Sequence, residues 1–325
     1  MPSRRDSLKA LAAMAAGLGS VPAWAGRPSS AAPTVKTRVN FAVPRGACDS
    51  HVHVFPDPTR FSPSRPFTPP EASGDQLLAL QRALGMDHVV IVNSTVYGAT
   101  IQPVLEVIGQ LGQRRARGVA LFDPKLGAEE IDALHAGGIR GVRVFLGLTP
   151  DVDLSAAARQ LEIADKQVAG RPWHIQVYGK HSVLAALRTQ LGALRAPLVF
   201  DHFCGIDAPA GLDQDGFGDV VALVRSGKAY VKLSGPYYCS DKAPDYPDMT
   251  PYAKALIGAN PERVLWGSDW PHPNSTPIPT RKATDIAPAQ DIDDGLVLDQ
   301  LAVWAPDVTV RKQILCDNPQ RLYGF

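Results

Sequence analysis

Residues 48–55 read Cys-Asp-Ser-His-Val-His-Val-Phe, and here the chain first offers side chains that can do chemistry. In an extended strand, successive side chains point to opposite faces. His51 and His53 then share one side with Asp49, while Val52 and Val54 take the other. Two imidazoles side by side on a strand fill a core poorly. They can hold a metal, polarise a carbonyl or move protons. A His-x-His pair alone is equally compatible with two hydrogen-bonded structural histidines. The choice therefore rests on what the rest of the chain brings to them.

The elements that must position these residues alternate along the chain. Short apolar runs predict strands at 48–55, 88–92, 117–121, 141–145, 174–177, 197–200, 229–233 and 264–266. Between them, helical spacing of apolar residues predicts helices at 74–84, 101–111, 128–136, 155–168, 180–191, 216–225 and 251–257, with two more at 292–304 and 307–315. Ser155 reads as the N-cap of its helix, and Gly137-Gly138 as the stop after 128–136. The Pro-rich segment 56–70 reads as a long loop over the end of the first strand. Eight strands alternating with helices predict an α/β fold, a single (β/α)8 TIM barrel with extra C-terminal helices. A doubly wound dinucleotide-binding sheet would need a Gly-rich turn after its first strand, where His-Val-His-Val stands instead.

In such a barrel the strand C-termini converge on one mouth. The strand ends here carry His51 and His53, then Asn93 with Tyr97, Asp123, Arg143, Tyr178, Asp201-His202, Ser234 and Ser268-Asp269. Nearly every strand thus delivers a polar or charged side chain to the same rim.

The chain of 325 residues has a formal net charge of +1 and is 45% hydrophobic. No charge excess suggests a nucleic-acid partner. Residues 1–25 read as an export signal. Arg4-Arg5 resembles a twin-arginine motif, the apolar run 10–21 is too short for a membrane span, and Ala23-Trp24-Ala25 offers a cleavage site. Twin-arginine or Sec export machinery would be the partner, and the expected location is periplasmic or secreted. Residues 26–40 read as a linker, and 41–325 as the barrel domain. Four scattered cysteines, Cys48, Cys204, Cys239 and Cys316, form neither a zinc framework nor a dense disulfide scaffold.

Three stretches carry a family resemblance: Cys48-Asp49-Ser50-His51-Val52-His53, Asp201-His202, and Leu265-Trp266-Gly267-Ser268-Asp269-Trp270-Pro271-His272-Pro273. Together they resemble the amidohydrolase superfamily, in its amidohydrolase-related group, and most of all the pyrone-dicarboxylate lactonase family. The resemblance runs from about residue 41 to 325 and implies a distorted TIM barrel. It implies Asp269 as the general base that activates water, with His51, His53 and His202 polarising a lactone carbonyl, and Arg143 and Tyr178 holding a small-molecule substrate. No cofactor is required on that reading. A divalent metal, zinc or manganese, would find ligands in His51, His53 and Asp269. The chain departs from the lactonase pattern where arginines are expected after strands six and seven. Gly205 and the run Gly235-Pro236-Tyr237-Tyr238 stand there instead. Losing such carboxylate clamps changes substrate choice more than reaction type. The expected function is hydrolysis of a lactone or related cyclic ester. The alternatives are a metal-dependent decarboxylase or amide hydrolase, and an exported binding protein without catalysis.

Overall fold

The computed structural model describes residues 35–147, 151–276 and 278–325. The expected export signal at 1–25, and the linker as far as residue 34, lie outside the described residues. Residues 36–40, expected to finish the linker, are docked on the barrel. The backbone N–H groups of Thr37 and Asn40 donate to Asp293 Oδ1 (3.2 Å) and Asp299 Oδ1 (2.7 Å) at and within the helix Asp294–Trp304.

Eight strands form one parallel sheet in chain order: β1 (Cys48–Val52), β2 (His88–Val92), β3 (Ala116–Leu121), β4 (Ile139–Gly147), β5 (His174–Gly179), β6 (Leu198–Phe200), β7 (Ala229–Leu233) and β8 (Val264–Trp266). Each connection between consecutive strands contains a helix, as in a (β/α)8 barrel. The strands are apolar on both faces because both are covered. In β2, Val89 and Ile91 join the outer layer packed with the helices. Val90 and Val92 join a second cluster with Cys48, Val119, Val199, Leu265 and Tyr323. Tyr323, from the terminal helix Asn318–Tyr323, plugs the end of the barrel where the strands begin, its ring 5.3 Å from that of His174. That leaves the opposite end for chemistry.

The barrel closes through the segment after β8. Asp269 N–H donates to His51 O (2.8 Å), His53 N–H to Trp270 O (2.7 Å), and Ser268 N–H to Asp49 Oδ1 (2.9 Å). Gly267 makes the approach possible: a Cβ there would lie 2.8 Å from the Cβ and the backbone N of His51.

Three details differ from the sequence reading. The helix expected to be capped by Ser155 starts at Leu154, and Asp153 caps it, Oδ1 accepting from Ala156 N–H (2.9 Å). The helix expected at 180–191 is two short helices, His181–Ala186 and Arg188–Ala193, broken where Leu187 leaves helical geometry. The helix expected at 307–315 gives way after Lys312 to a π-helical turn at Gln313–Asp317 that leads into the terminal helix.

Candidate active site

The six side chains expected to form the site meet at the strand C-terminal mouth. His51 lies on β1 and His53 just beyond it; Arg143 lies on β4 and Tyr178 on β5; His202 follows β6 and Asp269 follows β8. Asp269 Oδ1 is ringed by imidazole nitrogens: His51 Nε2 at 3.5 Å, His53 Nε2 at 3.5 Å and His202 Nε2 at 4.0 Å. Asp269 and His51 are wholly buried; His53 and His202 are nearly so. The two residues that turn into the cavity from loops do so in the left-handed backbone region, His202 at φ 43° and Asp269 at φ 65°. Such geometry costs about 1–3 kcal/mol at a non-glycine residue and persists where surroundings over-determine it.

Beneath this ring is a second, ionic layer. Arg143 Nε donates to Asp201 Oδ2 (2.8 Å), and Gln176 Nε2 donates to the same oxygen (3.0 Å). Lys232, from the middle of β7, donates from Nζ to Gln176 Oε1 (2.7 Å) and lies 3.6 Å from Asp201 Oδ1. His51 joins the two layers, its Nδ1 3.2 Å from Lys232 Nζ and 3.3 Å from Asp201 Oδ1. The Arg143 guanidinium also lies over the adjoining rings of Phe145 and Tyr178, 4.9 and 4.8 Å from their centroids. Its terminal nitrogens make no hydrogen bond among the described residues.

The electrostatics follow from burial and these partners. Burial would raise the Asp201 carboxyl, but Arg143 and Lys232 outweigh it and hold the acid well below the usual carboxylate range. Burial pushes the Lys232 ammonium down to about 8, with Asp201 opposing. Burial and then the neighbouring Lys232 charge keep His51 well below the usual imidazole range. His202 is lowered by burial, against Asp269 and Asp201. Burial would raise Asp269, yet His202, His53 and His51 hold it far below its ordinary value.

Hydrogen-bond direction assigns the ring nitrogens further. His53 Nδ1 lies 2.8 Å from Val92 O, an acceptor, so Nδ1 carries the proton and a neutral His53 presents a lone pair at Nε2. His51 Nδ1 faces both a donor, the Lys232 ammonium at 3.2 Å, and an acceptor, Asp201 Oδ1 at 3.3 Å: accepting from Lys232 leaves Nε2–H toward the cavity, and donating to Asp201 leaves a lone pair there. His202 Nδ1 pairs with Ser234 Oγ (3.0 Å), which can act either way.

Among the described residues, two groups can hold a metal: His51, His53 and Asp269, and His51, Asp201 and His202. The first fits by spacing. Donors about 2.1 Å from a tetrahedral zinc lie about 3.4 Å apart, and the Asp269–His51 and Asp269–His53 pairs lie 3.5 Å apart. His51 Nε2 and Asp269 Oδ1 are also buried without a hydrogen-bond partner among the described residues.

Other rim candidates do not reach the cavity. Asn93 donates to Thr100 O (3.0 Å), Tyr97 donates to Val54 O (3.2 Å), and Asp123 Oδ1 accepts from Lys125 N–H (2.9 Å), so all three fix loops. The sequence reading does not include Lys232 and Gln176, and it takes Tyr237 only as standing in place of a substrate-binding arginine. A lysine inside Ala-Tyr-Val-Lys-Leu and a glutamine inside His-Ile-Gln-Val-Tyr were the available signals, since polar side chains mid-strand in a closed barrel must face partners. Tyr237 stands on a loop, where no periodicity points to it.

The amidohydrolase family profile matches residues 48–325. The chain is 33% identical over 298 residues to a 2-pyrone-4,6-dicarboxylate hydrolase of Comamonas testosteroni, covering 88% of this chain and 93% of that one. It is 32% identical over 305 residues to a 4-sulfomuconolactone hydrolase of Rhizobium radiobacter, covering 92% and 97%. Among solved structures it resembles a putative 2-pyrone-4,6-dicarboxylic acid hydrolase from Pseudomonas putida, with a TM-score of 0.68, 26% identity, and 87% and 98% of the two chains covered. The chain therefore belongs to the amidohydrolase family and is a hydrolase of the amidohydrolase superfamily.

Proposed function

We propose that the protein opens a lactone or related cyclic ester by attack of water. The observation that carries this reading is the position of Asp269 Oδ1 amid three imidazole nitrogens. Two relatives named as lactone or pyrone hydrolases support it.

Ester hydrolysis needs a water deprotonated as it attacks and an oxyanion stabilised as it forms. Asp269, ionised, accepts the proton of the attacking water through Oδ1 and returns it to the ring oxygen as the acyl C–O bond breaks, leaving a carboxylate and a hydroxyl. His53 Nε2, a lone pair, accepts the second hydrogen of the same water and aims it. His51 Nε2–H faces the carbonyl oxygen and donates to the developing charge. His202 does the same when Ser234 donates to its Nδ1. Lys232 donating to His51 Nδ1 favours this Nε2–H tautomer, whereas Nδ1–H donating to Asp201 gives the Nε2 lone pair that a metal would need. Arg143, held by Asp201 at Nε, has its terminal nitrogens available for a carboxylate or carbonyl of the substrate, and Tyr178 walls the same side. The missing arginine clamps and the tyrosines at 237 and 238 favour a less charged lactone than a pyrone dicarboxylate. His51, His53 and Asp269 would hold a zinc or manganese ion, which when bound supplies Lewis-acid polarisation and a more acidic water. The Arg4-Arg5 motif and the following apolar run support activity outside the cytoplasm, after twin-arginine or Sec export.

A panel of neutral, sugar-derived and monocarboxylate lactones tests this, run in ¹⁸O-water with and without chelator or added zinc. The expected result is ring opening with one ¹⁸O atom in the new carboxylate. Activity unaffected by chelation supports the imidazole-and-carboxylate mechanism. Activity lost with the metal and restored by zinc assigns the ring to a metal. No turnover anywhere on the panel would contradict lactone hydrolysis.

A further inference from the structure

The carboxylate of Asp269 has two oxygens, and the imidazole ring accounts for only one. Oδ2 accepts a short hydrogen bond from the hydroxyl of Tyr237. Tyr237 lies on the turn Pro236–Tyr238 that follows β7, where Gly235 is left-handed at φ 54°. A Cβ on Gly235 would come within 2.8 Å of the Tyr238 ring and 3.0 Å of His202 Nδ1. The turn is therefore packed against the site.

Tyr237 is itself braced. Its oxygen is 3.2 Å from His272 Nδ1, and His272 Nε2 is 3.0 Å from Asp294 Oδ1 at the start of the helix Asp294–Trp304. His272 and Asp294 are wholly buried. The single phenolic proton goes to the carboxylate, so His272 donates from Nδ1–H to the phenol oxygen and from Nε2–H to Asp294, as an imidazolium paired with that carboxylate. The His272 and Tyr237 rings meet edge to face, with centroids 5.6 Å apart. An unbroken chain of contacts thus runs from a helix outside the sheet to the proposed base.

We infer that Tyr237 is a positioning residue, which holds the Asp269 carboxylate by Oδ2 and leaves Oδ1 as its only oxygen facing water and the imidazoles. This rests on the reading of Asp269 as the base. It also gives the tyrosine that stands in place of an expected arginine a role other than substrate binding. A carboxylate free to rotate would share its charge between two orientations, of which one faces the ring. Misplacement of about 1 Å at a reacting group can cost about a hundredfold in rate.

The test uses the full-length protein and the best lactone from the panel. Tyr237→Phe keeps the ring and its packing, and is expected to lower kcat about ten- to a hundredfold with KM within about threefold of wild type. Circular dichroism and melting temperature control for the fold, and His272→Phe, which removes the donor that braces the phenol, is a second variant expected to lower kcat in the same sense and by less. Unchanged kcat in folded Tyr237→Phe, or a change confined to KM, would overturn the inference. If Asp269→Asn has lost turnover while Tyr237→Phe has not, only the positioning role fails. If Asp269→Asn turns over normally, the parent reading fails.

Discussion

Asp49 shows how closely a single buried carboxyl can be read. It is wholly buried, its Oδ1 accepts the Ser268 N–H at 2.9 Å, and its Oδ2 has no hydrogen-bond partner among the described residues. Burial raises it from an ordinary 3.8 to about 7, against the hydrogen bonds from Ser268 and His51. The folded state therefore holds a proton between about pH 4 and 7 that the unfolded state has released. Stability must fall as pH rises through that window, and the full cost is present above it. Asp49→Asn keeps the acceptor and removes the charge. Urea unfolding should show the variant gaining on wild type between pH 4 and pH 8, by on the order of a few kcal/mol. An equal gap at both pH values would mean that Asp49 is not protonated by folding.

At the scale of elements, the turn after β8 does more than any helix to build the site. It closes the barrel on β1 and turns Asp269 inward in a left-handed conformation. Gly267→Ala places a methyl group against the His51 backbone N and Cβ at 2.8 Å, and neither can swing aside. The substitution should cost about 1–3 kcal/mol by overpacking and displace His51 from the ring, so that denaturant midpoint and turnover fall together. A stable Gly267→Ala enzyme with normal turnover would show that β1 and β8 can separate without harm. The elements themselves were readable in the sequence because the barrel strands are short apolar runs with β-branched residues, as in His-Val-Val-Ile-Val of β2. What could not be read were local backbone choices. Asp153 rather than Ser155 caps its helix, and Leu187 breaks another while remaining buried. Both depend on where a loop arrives, which periodicity does not encode.

For the whole molecule, the sequence placed His51, His53, His202 and Asp269 at one mouth because each stands at a strand end, and strand ends converge in a parallel barrel. The ionic layer below was not legible. Arg143, Asp201, Gln176 and Lys232 come from β4, the end of β6, β5 and β7, and only the closed sheet shows that they share one network. The contact of Tyr237 with Asp269 was hidden for the complementary reason, since a loop residue has no register. The molecule is thus a covered barrel with an ionic floor, and above it a ring of imidazoles with one carboxylate oxygen at its centre. The most direct measurement on that arrangement is kcat/KM of Asp269→Asn against wild type on an active lactone, with circular dichroism and melting temperature as controls for the fold. A loss of about a thousandfold or more in a folded variant is the predicted result for removal of the base. A folded Asp269→Asn protein within about tenfold of wild type would contradict the account.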